Sequence, residues 1–243
     1  MKENKIDLYS PIFSRKSCIK YDMKPLGAET IQQIETFISG LKPLLPGSEF
    51  THRIVRLEDV KGMAIRKAPH YLLISGKQQP LRNACAGFFF QHVELYLYSI
   101  GLATRWLAGV KGKNDDPNHI LGLAFGKPAE AASRKPAEFD RKPIGEIAKG
   151  TDSRLEAARL APSGINKQPW YFIVEGGAVH VYYLKKLGGL PGTFYHLTDF
   201  DAGIALCHIA VASEHEGKSF RFNPDGKNPP PPPEGFAYLG TVE

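Results

Sequence analysis

Two stretches of this chain repeat each other at a fixed distance, and that repeat limits the fold more than any other feature. Residues 86–106 (AGFFFQHVELYLYSIGLATRW) align without a gap on residues 202–222 (AGIALCHIAVASEHEGKSFRF). Ala86 and Gly87 fall on Ala202 and Gly203, 116 residues further on. His92, Gly101, Arg105 and Trp106 likewise fall on His208, Gly217, Arg221 and Phe222. The apolar pairs Phe88/Ile204, Phe90/Leu206, Val93/Ile209 and Leu95/Val211 keep the same register. Two short apolar segments of strand type, 119–125 and 235–241, share the offset. Repetition at this spacing implies one structural unit used twice.

The elements expected around the repeat run in parallel. Apolar spacing (Ile31, Ile34, Phe37, Ile38, Leu41) predicts a helix over 30–41, stopped by Pro43. Its counterpart is 152–160, with Asp152 or Thr151 as N-cap and Pro162 beyond the end. Strands are expected at 51–57 and 71–75 in the first half, and at 170–175 and 179–184 in the second. Long helices over 83–100 and 199–216 are apolar on most sides near their starts, so each should lie buried between layers. A buried helix that meets its own repeat implies a pseudo-twofold axis, as in a fused dimer. The five-proline run within 223–233 excludes helix and central strand, and reads as an exposed extended connector before the last strand. The expected organisation is one compact unit over 1–243, with halves at about 10–130 and about 131–243.

Composition narrows the function. A chain of 243 residues, 42% apolar and 23% charged, can bury a sizeable core without staples. No apolar run approaches the roughly 20 residues of a membrane helix, and the polar start MKENKIDLYS lacks a secretory signal. Three scattered cysteines, Cys18, Cys85 and Cys207, suggest neither a zinc site nor a disulfide framework, which points to the cytoplasm. The net charge of +6 favours anionic partners. Its basic clusters never exceed two residues, which argues against a nucleic-acid surface and leaves a phosphorylated cofactor.

Three stretches could carry chemistry. Residues 161–170 (APSGINKQPW) sit between a helix and a strand and crowd Pro162, Ser163, Gly164, Asn166 and Gln168 together. Such a loop can offer hydroxyl, amide and backbone groups to a polar heterocycle, although the same residues also make ordinary turns. Arg15, Lys16 and Ser17 supply two cations and a hydroxyl in succession, suited to an anion or to a solvated basic turn. Residues 101–109 carry a helix end into an apolar strand, and small residues at Ala108 and Gly109 would let a backbone N–H approach a flat ring.

These stretches resemble the nitroreductase family of flavin enzymes, over roughly residues 10–240. The family's opening motif, Arg-Arg-Ser-x-Arg-x-Phe, is matched by Arg15, Lys16, Ser17 and Tyr21, with Ile19 where a cation is usual. Its central motif, Ala-Pro-Ser-x-x-Asn-x-Gln-Pro-Trp, is matched without a gap from Ala161 to Trp170. Gly-Leu-Gly-Thr-x-Trp is similar to residues 101–106, with Ala103 replacing a glycine, and the family's basic-proline segment is similar to Arg141-Lys142-Pro143. Ordinary members carry the central motif some tens of residues after the opening one. Here it falls in the second half, while residues 40–47 (GLKPLLPG) lack its Ser and Asn, and Arg141-Lys142-Pro143 lacks the opening hydroxyl. The chain thus resembles the nitroreductase group in which a single chain mimics the family's homodimer.

The resemblance implies an α+β, FMN-dependent nitroreductase-like fold in helix-sheet-helix layers, its internal duplication forming a pseudo-dimer that suffices as a monomer. One complete FMN site is expected: Arg15, Lys16, Ser17, Arg141 and Lys142 on the phosphate and ribityl chain, and Pro162, Ser163, Gly164 and Asn166 along the ring edge. Gln168 would brace the loop, and the backbone of Leu107, Ala108 and Gly109 would face flavin N5. No side chain reads as an obligatory acid, base or nucleophile, because the flavin carries the chemistry. His92, His208 and Cys207 read as core residues. The implied activity passes hydride from NADH or NADPH through FMN to a small-molecule acceptor such as a nitro compound or quinone. A non-catalytic flavin-binding protein is the alternative.

Overall fold

The two long helices fix the frame. In the computed structural model, which describes residues 6–62, 65–114, 116–186, 197–226 and 228–243, the first long helix spans Arg82–Ser99 and the second Thr198–His215. Both have 18 residues and both ends lie 116 residues apart, one residue earlier than apolar spacing predicts. Each ends on a left-handed glycine, Gly101 (φ 80°) and Gly217 (φ 67°). Leu102 N–H then bonds Leu97 C=O, and Lys218 N–H bonds Ser213 C=O, the six-to-one closure of a glycine-capped helix.

The chain divides into two units. The first takes Met1–Lys42, Gly47–Arg82 and His92–Glu138; the second takes Pro43–Pro46, Asn83–Gln91 and Phe139–Glu243. In the first unit, α1 (Ala28–Ser39) is followed by β1 (Thr51–Val55), β2 (Val60–Gly62) and β3 (His70–Ser75). Then come α2, the helix Arg82–Ser99 whose early turns belong to the second unit, β4 (Ala103–Leu107), β5 (Val110–Gly112) and β6 (His119–Gly126). The second unit runs α3 (Ile144–Ile147), β7 (Ala148–Lys149), α4 (Leu155–Arg159), β8 (Trp170–Glu175), β9 (Ala178–Leu184), α5 (the helix Thr198–His215), β10 (Phe222–Asn223) and β11 (Phe236–Val242).

Each unit has its own antiparallel ladder, and the two follow one plan. The first unit orders its strands β1-β3-β6-β4, and the second orders the equivalent ones β8-β9-β11-β10, with β7 added in parallel on β8. Strand β3 is buried at every residue, so it reads as a continuous apolar run instead of an alternating one. In the second unit α5 packs on β8 and β9, and α4 packs on α5. The early turns of α2 cross α5 there through glycine. A Cβ on Gly87 would stand 2.1 Å from the Phe200 carbonyl oxygen, and one on Gly203 would stand 2.0 Å from that of Ala84. Residue 84 lies 116 before residue 200, so the two contacts are copies of each other and the crossing is locally twofold. Asn83 donates from its amide to Asp199, its own counterpart, at 3.3 Å.

Two expectations are corrected. Helix α4 begins at Leu155, later than the expected 152, because the Asp152 carboxylate grips the Arg154 guanidinium (2.9 and 2.8 Å) and backbone N–H in place of capping a longer helix. The proline connector is extended, yet Pro229, Pro230 and Pro233 are half-buried, and the Pro230 carbonyl accepts the Tyr182 hydroxyl. Its residue 227 lies outside the described residues.

Candidate functional site

The motif loop after α4 is the most constrained backbone in the second unit. Ile165 (φ 46°), Asn166 (φ 59°) and Gln168 (φ 50°) all adopt the left-handed region. For a β-branched residue such as Ile165 that is an outlier, and each such residue costs on the order of 1–3 kcal/mol unless its surroundings impose it. The surroundings here are polar and specific. The Arg141 guanidinium donates to Asn166 Oδ1 (2.6 Å), to the carbonyls of Ala161 (3.1 Å) and Leu160 (3.3 Å), and to that of Asp140 (3.0 Å). Asn166 returns its amide to the Asp140 backbone carbonyl at 2.9 Å. Gln168 accepts from Lys142 N–H (2.8 Å), donates to the Asn166 carbonyl (3.1 Å), and sends its backbone N–H to Ser163 Oγ (2.9 Å).

These bonds tie the loop to itself and to the segment before it, and leave part of it exposed. Pro162 and Gln168 are buried and Ser163 is half-buried, whereas Gly164 is exposed and Ile165 is 57% exposed. Ser163 Oγ accepts from Gln168 N–H and can still donate its own proton, whereas the Gly164 carbonyl already accepts Lys167 N–H at 3.1 Å. That hydroxyl can meet a planar polar heterocycle. Of the expected site residues, the structure brings together Arg141, Lys142, Ser163, Gly164, Asn166 and Gln168. Arg141 turns its fork onto the loop, while the Lys142 side chain is exposed.

One contact of this loop has no trace in its motif. Gly164 N–H donates to Asp201 Oδ2 at 3.0 Å. Asp201 sits in the first turn of α5 with 5% of its surface exposed. Burial pushes its carboxyl well above the usual range and the Asp199 charge adds to this, while the Gly164 N–H opposes them. The signal available in the sequence was an acid set among Phe200, Ala202 and Gly203 on a helix expected to be buried.

In the first unit, the opening motif is anchored from inside. Arg15 is 1% exposed, and its Nε lies 2.7 Å from Glu94 Oε1 on α2. The Thr104 hydroxyl on β4 donates to the same carboxylate oxygen at 2.7 Å. Arg134 Nε donates to the Arg15 carbonyl (3.0 Å), and burial together with the Arg15 charge holds the Arg134 guanidinium below its usual pKa. Among the described residues Nη1 of Arg15 has no hydrogen-bond partner although it is buried. Next to it, Lys16 is exposed and Ser17 half-buried. Cys18 N–H then bonds the Thr104 carbonyl at 2.8 Å, and its side chain shares one apolar cluster with Leu107. Leu107 is buried, Ala108 half-buried and Gly109 exposed, where the chain turns from β4 into β5. Glu94, like Asp201, was missed: it is an acid flanked by Val93 and Leu95 on an apolar helix.

His208 is fully buried, with Nδ1 2.8 Å from the Ala157 carbonyl and Nε2 3.2 Å from the Gln91 amide, whereas His92 is half-buried. All three cysteines are buried. Among the described residues no group of three or more His, Cys, Asp or Glu could hold a metal ion, and no helix is long and apolar enough to cross a membrane.

The paired antiparallel ladders, with glycine-crossed helices and a braced loop, define an α+β protein of the nitroreductase fold. A protein described as a putative nitroreductase from Thermotoga maritima is similar over 100% of this chain and 95% of its own, at 17% identity and a TM-score of 0.68. A family model described as "Putative TM nitroreductase" matches residues 7–213, and the chain belongs to that nitroreductase family. A nitroreductase family protein of Clostridium difficile aligns with 59% of this chain and 96% of its own, at 18% identity and a TM-score of 0.45. An FMN-dependent nitroreductase of Clostridium difficile R20291 aligns with 56% and 95%, at 15% identity and a TM-score of 0.39. No curated protein sequence matches the chain.

Proposed function

We propose that the protein is an FMN oxidoreductase that takes hydride from NADH or NADPH and reduces a small electrophile such as a nitro compound or quinone. The ungapped match from Ala161 to Trp170, folded as a strained loop braced by Arg141, Lys142 and Asp201, carries this reading. Two features fit the cofactor. The buried Nη1 of Arg15 is a donor that the protein leaves open, beside the Lys16 ammonium and the Ser17 hydroxyl. In the loop, the half-buried Ser163 hydroxyl accepts from Gln168 N–H and retains its own proton for a ligand.

In this reading Arg15, Lys16, Ser17 and Lys142 hold the phosphate and ribityl chain, and Arg141 acts by bracing the loop. Pro162, Ser163, Gly164 and Asn166 border the ring, with Gln168 fixing their spacing. The backbone at Leu107, Ala108 and Gly109 offers an N–H where negative charge develops on reduction. Bound FMN would supply the two-electron chemistry, and the protein supplies position and electrostatics. That both motifs serve one FMN rests on the sequence, since each half lacks the motif the other keeps. We read the shared strand order and the 116-residue spacing as an internal duplication, so that one chain suffices as a monomer.

The deciding experiment is the visible spectrum of purified protein, then release and identification of the chromophore and steady-state NAD(P)H oxidation with an added quinone. One FMN per chain with turnover supports the reading. A ratio near two would remove the single site, and bound FMN without turnover would leave a flavin-binding protein.

A further inference from the structure

We infer that Asp201 is a positioning residue: a buried carboxyl group that holds the Gly164 amide and thereby keeps the 162–168 loop in its ligand-ready shape. The inference deepens the FMN reading and rests on it for the ligand, but the clamp itself stands on the geometry. The loop holds three non-glycine residues in the left-handed region, so something outside it must oppose relaxation. From the N-terminal side, Arg141, Lys142 and Asp140 bond Asn166 and Gln168. Asp201, on α5, is the acceptor that fixes Gly164, the residue just before the strained pair. The first half offers a contrast. Residue 85, the counterpart of 201, is cysteine, and residues 40–47 lack the motif. Acid and motif occur together.

A group that acts only as an acceptor should be replaceable by its amide. Asparagine keeps an Oδ1 that can receive the Gly164 N–H, so Asp201→Asn should preserve the loop. Asp201→Ala and Asp201→Leu cannot accept, and Leu covers the event that a cavity alone destabilises the Ala variant. Trypsin cleavage after Lys167, which is exposed within the loop, reads loop order in the FMN-free protein without reference to activity. Losing one hydrogen bond should speed this cleavage by about three- to tenfold in the Ala and Leu variants and leave Asn near wild type. FMN affinity should fall by a similar factor in the same two variants. Wild-type cleavage rates in both Ala and Leu would overturn the clamp, as would an Asn variant as labile as Ala. If wild type binds no FMN while cleavage after Lys167 behaves as expected, the cofactor reading fails and the clamp stands.

Discussion

Two connections hold the same place in the two units and are built in opposite ways. Between α1 and β1 the left-handed backbone falls on Gly47 (φ 81°), where no side chain resists it. Between α4 and β8 it falls on Ile165, Asn166 and Gln168, and an arginine, an asparagine, a glutamine and a buried acid hold it there. The helices differ in the same sense, since Cys85 in one takes the counterpart position of Asp201 in the other. The two units share a strand order, while three left-handed non-glycine residues gather in the motif loop, which is where a ligand is expected.

The sharpest way to break this comparison is through the two arginines, because each anchors its own unit differently. Arg15→Ala strips the buried Glu94 carboxylate of its cation, and should lower unfolding free energy by about 3–5 kcal/mol in denaturant titration. Arg141→Ala removes bonds to one half-exposed loop and should lower it by roughly 1–3 kcal/mol. Equal losses would mean that the opening motif is no more deeply anchored than the loop. Lys142→Ala, at an exposed side chain, should change stability by less than about 0.5 kcal/mol.

Next come the crossing glycines, which test the symmetric part. Gly87→Ala and Gly203→Ala each drive a methyl into a backbone carbonyl oxygen, at 2.1 and 2.0 Å, and should cost about 3 kcal/mol apiece. The two losses should agree. A strong inequality would show that the crossing is not the twofold contact its spacing suggests. This symmetry was legible in the sequence because helix packing repeats itself: the 116-residue register carried both helices, their glycine caps and the final strands. Strand β8 was legible from its aromatic and β-branched run. The site was legible only as a motif. Glu94 and Asp201 meet partners 79 and 37 residues away, and no local pattern reports such pairings. The short β2, β5 and β7 also depend on distant partners, so local propensity left them unseen.

Two acids of the second unit should respond to pH with opposite signs. Asp201 has its pKa raised by burial, so the folded state holds a proton that the unfolded chain releases near the ordinary value of about 4. Its contribution is complete below that value and is lost as pH rises toward the folded-state pKa. Asp152 is held low, chiefly by the Arg154 side chain, so its contribution is present above the ordinary value and fades as pH falls through the folded-state pKa. Asp201→Asn should therefore gain stability on wild type between pH 4 and 7, and Asp152→Asn should lose it over the same range. Denaturant midpoints at several pH values read both, and parallel curves for the two variants would refute the assignment.

The smallest expected effect speaks most directly to where the strain lies. Gly47→Ala forces a side chain into φ 81° and should cost about 1 kcal/mol, because nothing local holds that backbone except glycine's freedom. Ile165→Gly runs the substitution the other way at φ 46°. Relief of the left-handed penalty, about 1–2 kcal/mol, is offset by the extra unfolded-state freedom of glycine, about 0.5–1 kcal/mol. Unfolding free energy should then stay within about 1 kcal/mol of wild type, on the stabilising side. FMN retention should fall even so, because a loop that no longer needs its brackets is also less well held by them. An Ile165→Gly variant that is both more stable and equally retentive would show that the strained isoleucine serves packing alone.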